Sequence, residues 1–247
     1  MSFDLGLIVE TFPRLLDGLW LTLVLLLGSL LGGALLAGPT TWMLLSRHRW
    51  IATPARVYVW MFRGTPALVQ LFLIYYGLAQ FEWLRDSAAW VLLREPFWCC
   101  FLAFSLNSGA YTAEILRGAI LGVSAEQREA ARALGLGPVP TFRLVIWPQA
   151  LRLALPPYSN EVVGMMKTTA LASTVTLAEV TGIAETIAAE TFAPYEVYLT
   201  AAAIYLVLAF ALERILRAVE KAQDRTIPAT DKPGGVTASR LRQYLRS

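Results

Sequence analysis

From residue 19 to residue 46 no side chain carries a charge. A helix needs only about 20 mainly apolar residues to cross the hydrocarbon of a bilayer, so this run restricts the chain to a membrane span or the centre of a very large core. Composition decides between them: the 247 residues are 56% hydrophobic and 16% charged, with a mean hydropathy of +0.53, whereas soluble domains carry about a quarter charged residues. The remaining charges leave room for four more spans, at 64–81, 97–113, 153–177 and 197–212. The expected fold is therefore all-α, a polytopic membrane bundle of about five transmembrane helices. Residues 1–18 form an N-terminal segment, 19–222 the transmembrane domain with a loop at 118–148, and 223–247 a basic tail. IATPARVYVWMFR, before the second span, reads as an interfacial helix.

Loop charges orient the bundle. Arg47, Arg49, Arg56 and Arg63 lie between spans one and two, Arg117, Arg128, Arg132, Arg143 and Arg152 between three and four, and the basic tail follows span five. The other side carries Arg14, Arg85 and Arg94 among Asp4, Glu10, Asp17, Glu82, Asp86, Glu95, Glu179, Glu185, Glu190 and Glu196. The N-terminus is expected outside and the C-terminus in the cytoplasm. The acidic start, MSFDLGLIVETFPRLLDG, is unlike a cleavable signal. Cys99 and Cys100, adjacent in an apolar span, read as small buried hydrophobes rather than a structural disulfide. The net charge of +3 is distributed over loops with no aromatic-interleaved groove, which argues against nucleic-acid binding. The tail is either solvated or laid on the anionic leaflet.

The loop contains SAEQREAARALGLGPVPTFRLVIWP, residues 124–148. Ser124 with Gln127 three residues on is a capping box that starts a helix. Gly135, Gly137 and Pro138 end it, because glycine adopts the left-handed conformation after a last helical turn and proline cannot continue the helix. A second helix runs from about Thr141 toward span four, with a kink expected at Pro148. Ala130, Ala131 and Ala133 leave little bulk on the short helix, and Arg128, Glu129 and Arg132 place charges at its rim. Such a helix either docks against another protein or lies at the lipid interface.

No catalytic constellation accompanies it. The chain has no G-x-x-x-x-G-K-[ST] phosphate loop, no G-x-S-x-G elbow and no cluster with metal-ligand spacing around its single histidine, His48. It is not expected to be an enzyme or to hold a cofactor or a metal. Ionisable groups inside spans are costly and mark a pathway or a pair. Glu161 stands out, with Ser159 and Asn160 beside it and Met165 at i+4 on the same helical face. Its carboxylate either attracts a cationic group of a substrate or pairs with Lys167 or Arg152 as a structural bridge. Lys167 reads as a snorkelling residue, Glu114 and Arg117 as an i, i+3 helix pair, and Arg63 as an interfacial anchor or a gate element. The acid-rich stretch TLAEVTGIAETIAAETFAPYE reads as a short amphipathic helix pair beneath an external partner, or as a solvated connector.

A resemblance narrows these alternatives. Glu129, Ala130, Ala131, three residues, Gly135, nine residues, then Val145, Ile146, Trp147 and Pro148 are similar to the E-A-A loop of bacterial ABC importer membrane subunits; valine stands for the usual isoleucine and tryptophan for leucine. FRGTPALVQLFLIYYGL, NSGAYTAEILRGAI and LPPYSNEVVGMMKTTALAS resemble polar amino-acid importer permeases, closest to those for histidine, lysine, arginine and ornithine and for opines. The resemblance implies the type I importer permease fold in a bacterial inner membrane. It makes the loop a coupling helix, with Glu129, Ala130, Ala131, Arg132 and Gly135 seated on an ABC ATPase subunit that binds the ATP. It also implies a second permease, identical or paralogous, and a periplasmic solute-binding protein. Glu161, Asn160, Ser159 and Met165 become candidates for the substrate pathway, with Arg63 as gate or anchor. The competing class is a secondary transporter that couples Glu161 to an ion gradient.

Overall fold

A computed structural model describes residues 5–224, which contain helices and no strand. Helix α1 (Leu5–Leu45) is followed by α2 (Arg49–Gly64) and α3 (Ala67–Phe72), the last continuing through a π turn (Leu73–Gly77) and a 3-10 turn (Leu78–Gln80). After two single-turn helices come α4 (Pro96–Gly122), α5 (Ala125–Ala133), α6 (Trp147–Thr168) with a 3-10 extension (Thr169–Val175), α7 (Val180–Thr191) and α8 (Pro194–Asp224).

The five apolar stretches are helical over most of their length, although their ends differ from those expected. Helix α1 begins at Leu5 rather than near residue 19, because Leu15 joins a buried cluster with Val180, Ala184 and Ile187 of α7 and Val197 of α8. By length and composition α1 and α8 can each cross a membrane alone, and α2 with the segment through Gln80, bent by 111° at its break, has the apolar length of a broken span or a re-entrant loop. Helices α4 and α6, with 27 and 22 residues, are long enough but more polar. Their polar side chains include Asn107, Glu114, Glu161 and Lys167.

The principal core joins Leu25, Leu26 and Leu30 of α1, Leu71 of α3, Phe104 of α4 and Met166 of α6 with their buried neighbours. Helix α1 packs most extensively on α4. Small residues permit the approach: a Cβ added at Gly33 would stand 2.9 Å from Ser108 Cβ and 3.0 Å from the Gly109 nitrogen. Between membrane helices, where hydrophobicity offers little drive for association, such closeness supplies the packing energy. Cys99 and Cys100 are free and fully buried, as two small hydrophobes would be.

Two local expectations are modified. Where a kink was expected at Pro148, a π segment (Thr141–Ile146) runs directly into α6, so the helical hydrogen-bond pattern changes just before the proline, which sits in the first turn of α6. The helix pair expected after span four is a single helix, α7; the chain reverses at Phe192, φ +55°, and Pro194 opens α8 directly. The basic tail beyond residue 224 lies outside the described residues.

Candidate functional site

The loop between α4 and α6 folds as a closed elbow. Ser124 caps α5 by accepting the Gln127 N–H at 3.4 Å. The other end is a Schellman motif: the Leu136 N–H donates to the Ala131 carbonyl at 3.0 Å and the Gly135 N–H to the Arg132 carbonyl at 2.9 Å, with Gly135 at φ +76°. A side chain there would strain the left-handed backbone, so the glycine sets where the helix stops. Ala131 is buried, and α5 packs on the π segment that leads into α6. Glu129, Ala130, Arg132 and Gly135 are exposed, and Leu134 beside them is 82% exposed. The outward face is thus flat, small and rimmed by opposite charges, with one apolar knob. Arg128 does not belong to that rim alone: its guanidinium donates to the Val123 carbonyl at 2.8 Å and fastens α5 to the end of α4.

The interior candidates separate into two faces of α6. Glu161 points toward α4, where its carboxylate is directed at the Ser108 hydroxyl and stands in the field of Arg63. Ser108 is buried and makes no hydrogen bond of good geometry, so the carboxylate is approached by a donor that does not saturate it. Ser159 and Asn160 face α8 instead. The Ser159 hydroxyl lies 2.7 Å from Glu220 Oε1, and both residues line a cleft of about 490 Å³ with Lys167, Glu213 and Arg217. Met165 sits in the principal core at 2% exposure. The four residues read together from the sequence are therefore not one lining: helical geometry turns Ser159 and Asn160 to another face, while Met165 shares the Glu161 face but is spent in the core.

Arg63 lies at the end of α2 with its guanidinium 5.2 Å over the Tyr111 ring. It shares a cleft of about 620 Å³ with Arg56, Tyr111, Glu114 and Arg117. Glu114 and Arg117 form the expected pair, doubly bonded at 2.6 and 2.9 Å. Lys167 is exposed and shares its clefts with Glu213 rather than with Glu161.

One acid was not singled out by the sequence. Glu179, grouped there with the outer acids, is fully buried. Its Oε1 accepts the Gly182 N–H at 3.0 Å as the cap of α7, and its Oε2 accepts the Tyr205 hydroxyl at 2.6 Å and the Thr22 hydroxyl at 3.4 Å. Helix α1 reaches it through Gly18, where an added Cβ would lie 2.6 Å from the Val180 nitrogen. The available signal was Gly182 three residues after Glu179, a capping spacing, but glutamate is an uncommon cap and reads first as a surface charge. Glu185 accepts a bond from Ser173 at 2.8 Å and Glu190 pairs with Arg14 at 2.9 Å.

Comparison with known proteins bears on this arrangement. Residues 25–225 match the family model described as binding-protein-dependent transport system inner membrane component. The octopine transport system permease protein of Rhizobium meliloti is 50% identical over 220 residues, covering 89% of this chain and 90% of that relative. The nopaline transport system permease protein of Agrobacterium fabrum is 47% identical over 218 residues, with 88% and 90% covered. A solved structure described as an amino acid ABC transporter with histidines matches at a TM-score of 0.81 and 35% identity, covering 90% of this chain and all of that one.

Proposed function

The chain belongs to the binding-protein-dependent transport system inner membrane components, and from that premise we propose that it carries cationic amino acids or opines inward, driven by ATP hydrolysed on a separate subunit. It is a multi-pass permease subunit of an ABC importer, and the gradient-coupled alternative is not favoured by its relatives. The observation that carries the coupling assignment is the elbow: α5 is capped at both ends, fixed to α4 through Arg128 and to α6 through its π segment, and bare on its outer face. A rigid element with an empty small-residue face transmits a push from a docked partner into the bundle.

In this reading Glu129, Ala130, Ala131, Arg132 and Gly135 seat the chain on an ABC ATPase, which binds the nucleotide; this chain has no phosphate loop of its own. The arginine-rich loops face the cytoplasm and the N-terminus faces the periplasm. A second permease, identical or paralogous, completes the pore, and a periplasmic binding protein delivers the cargo. Closure of the ATPase pair draws the coupling helices together and favours the outward-open state; hydrolysis returns the pore inward. ATP shifts this equilibrium because it binds one of the two states more tightly. Glu161 supplies the negative charge of the route: in a low-dielectric span an unsaturated carboxylate favours a cationic group, and Ser108 and Arg63 are the groups around it. Ser159 and Asn160 stand away from that charge on the α8 side, and Met165, one turn on from Glu161, is packed into the core.

The test is to recover the tagged chain from its native membrane in mild detergent and to identify its partners by mass spectrometry. ATPase activity is then measured with binding protein loaded with arginine, histidine, octopine or glutamine. Co-purification of a P-loop ATPase, with stimulation by the cationic or opine ligands, supports the reading. An intact chain that brings down no ATPase overturns it.

A further inference from the structure

Helix breaks inside membranes expose backbone carbonyls, and in many transporters those carbonyls line an ion or substrate site. The break between α2 and α3 is closed instead. Proline 66 has no N–H to return to the Phe62 carbonyl, so the end of α2 must find other donors. The Gln70 side-chain nitrogen lies 2.8 Å from the Phe62 carbonyl, 3.0 Å from the Thr65 carbonyl and 2.8 Å from the Thr65 hydroxyl. The Thr65 hydroxyl itself donates to the Met61 carbonyl at 2.8 Å. From α4, the Asn107 amide donates to Gln70 Oε1 at 2.9 Å and reaches the Phe62 carbonyl at 3.5 Å. Both amides are buried. The Tyr58 hydroxyl adds a further tie, donating to the Leu106 carbonyl at 2.6 Å.

The same face of α4 seats Arg63. Tyr111, under its guanidinium, is four residues beyond Asn107, one helical turn further along. Arg63 itself follows Phe62, whose carbonyl is the point the two amides share. Losing either amide would leave buried polar groups unmatched and free the bend; keeping both fixes where the positive charge of Arg63 stands.

We propose that Gln70 and Asn107 are positioning residues that lock α2, α3 and α4 into one rigid body and hold Arg63 as the fixed positive charge against which Glu161 selects its cargo. The selectivity half rests on the Glu161 route described above; the rigidity half does not. The clamp predicts that the bend keeps its angle while the importer cycles and that no cation binds at the break, since its carbonyls are occupied.

The experiment uses the assembled importer in nanodiscs, with the two native cysteines replaced, Cys99→Ala and Cys100→Ala, and spin labels at the exposed positions Val57 and Leu73. The wild-type label distance should be narrow and equal in the resting and vanadate-trapped states. Gln70→Met, which keeps the volume and removes the donors, should broaden it; Asn107→Leu is read in its place if Gln70→Met fails to insert. Import of arginine is then compared with that of histidine, neutral at pH 8, each offered on saturated binding protein. Gln70→Met should shift this ratio roughly tenfold, in the direction and to the level of Arg63→Gln, the lower end of the scale of one charge-assisted contact. Gln70→Met with Arg63→Gln should then give no further change, because one residue acts through the other. A narrow, wild-type distance in Gln70→Met overturns the clamp, as does a wild-type bend that changes with nucleotide state. Additive losses in the double variant overturn the positioning role. Wild-type transport of neither ligand would instead sink the substrate reading, while the label distances still report on the clamp.

Discussion

Glu161 and Glu179 are both carboxylates among apolar helices, and they stand in opposite conditions. Glu179 is sealed from solvent and receives donors from α1, α7 and α8. Glu161 is partly exposed, and the Ser108 hydroxyl directed at it falls short of a hydrogen bond of good geometry. The first has nothing left to offer a ligand, and its bonds hold α1, α7 and α8 together. The second retains unspent acceptor capacity in a low-dielectric setting, the condition a binding group requires. Saturation, more than burial or charge, separates Glu179 from the acid proposed for the substrate route. The same contrast holds between the two ends of the molecule: polar groups are consumed around α7 and presented around α5.

Four perturbations test that contrast. The largest effect is expected at the presented end. Glu129→Lys or Gly135→Asp should abolish import while leaving the amount of protein in the membrane unchanged, measured by uptake beside immunoblotting of membrane fractions; normal uptake in both variants removes α5 as the docking element. At the consumed end, Glu179→Leu strands the Gly182 N–H and removes the shortest bond of the Tyr205 hydroxyl, while the Thr22 hydroxyl keeps the Gly18 carbonyl at 3.1 Å and Tyr205 keeps the Thr181 hydroxyl at 3.1 Å. At about 1 kcal/mol for each of these two losses, it should cost about 2 kcal/mol, seen as a lower melting temperature of the purified protein. Unchanged melting would show that the donors find other partners. Glu161→Gln should do the reverse, leaving melting unaltered and reducing import of arginine several-fold more than that of glutamine; equal loss for both cargoes would make this acid structural as well. Ser124→Ala should have the smallest effect, about 1 kcal/mol of local stability from the lost cap, visible as faster hydrogen exchange in α5. Exchange like that of the wild type would mean that packing on the π segment alone holds the helix.

Much of the elbow between α4 and α6 was legible because its signals are local. Ser124, Gln127, Gly135 and Pro148 each act on backbone within a few residues, and capping and left-handed termination need no distant partner. The Glu114–Arg117 pair was legible for the same reason. In place of the Pro148 kink stands a π segment directly ahead of it, and proline is tolerated in the first turn of a helix. What could not be read was contact between segments far apart in the chain. Gly18 and Glu179 are separated by most of the fold and meet backbone to backbone; Gln70 and Asn107 belong to different helices. Nothing in either local pattern distinguishes such residues from ordinary small or polar ones.

The sequence by itself determined the all-helical membrane architecture, the distribution of basic loops and the capped elbow, because hydrocarbon thickness and helix termination impose constraints that a run of residues satisfies or fails alone. The tertiary structure decided the roles of the polar residues within the bundle: that Met165 fills the core, that Ser159 and Asn160 face α8, that Glu179 is a buried pin and that Gln70 and Asn107 close the broken span. A buried polar group takes its meaning from the donors and acceptors that reach it, and those are brought by helices the sequence places far away.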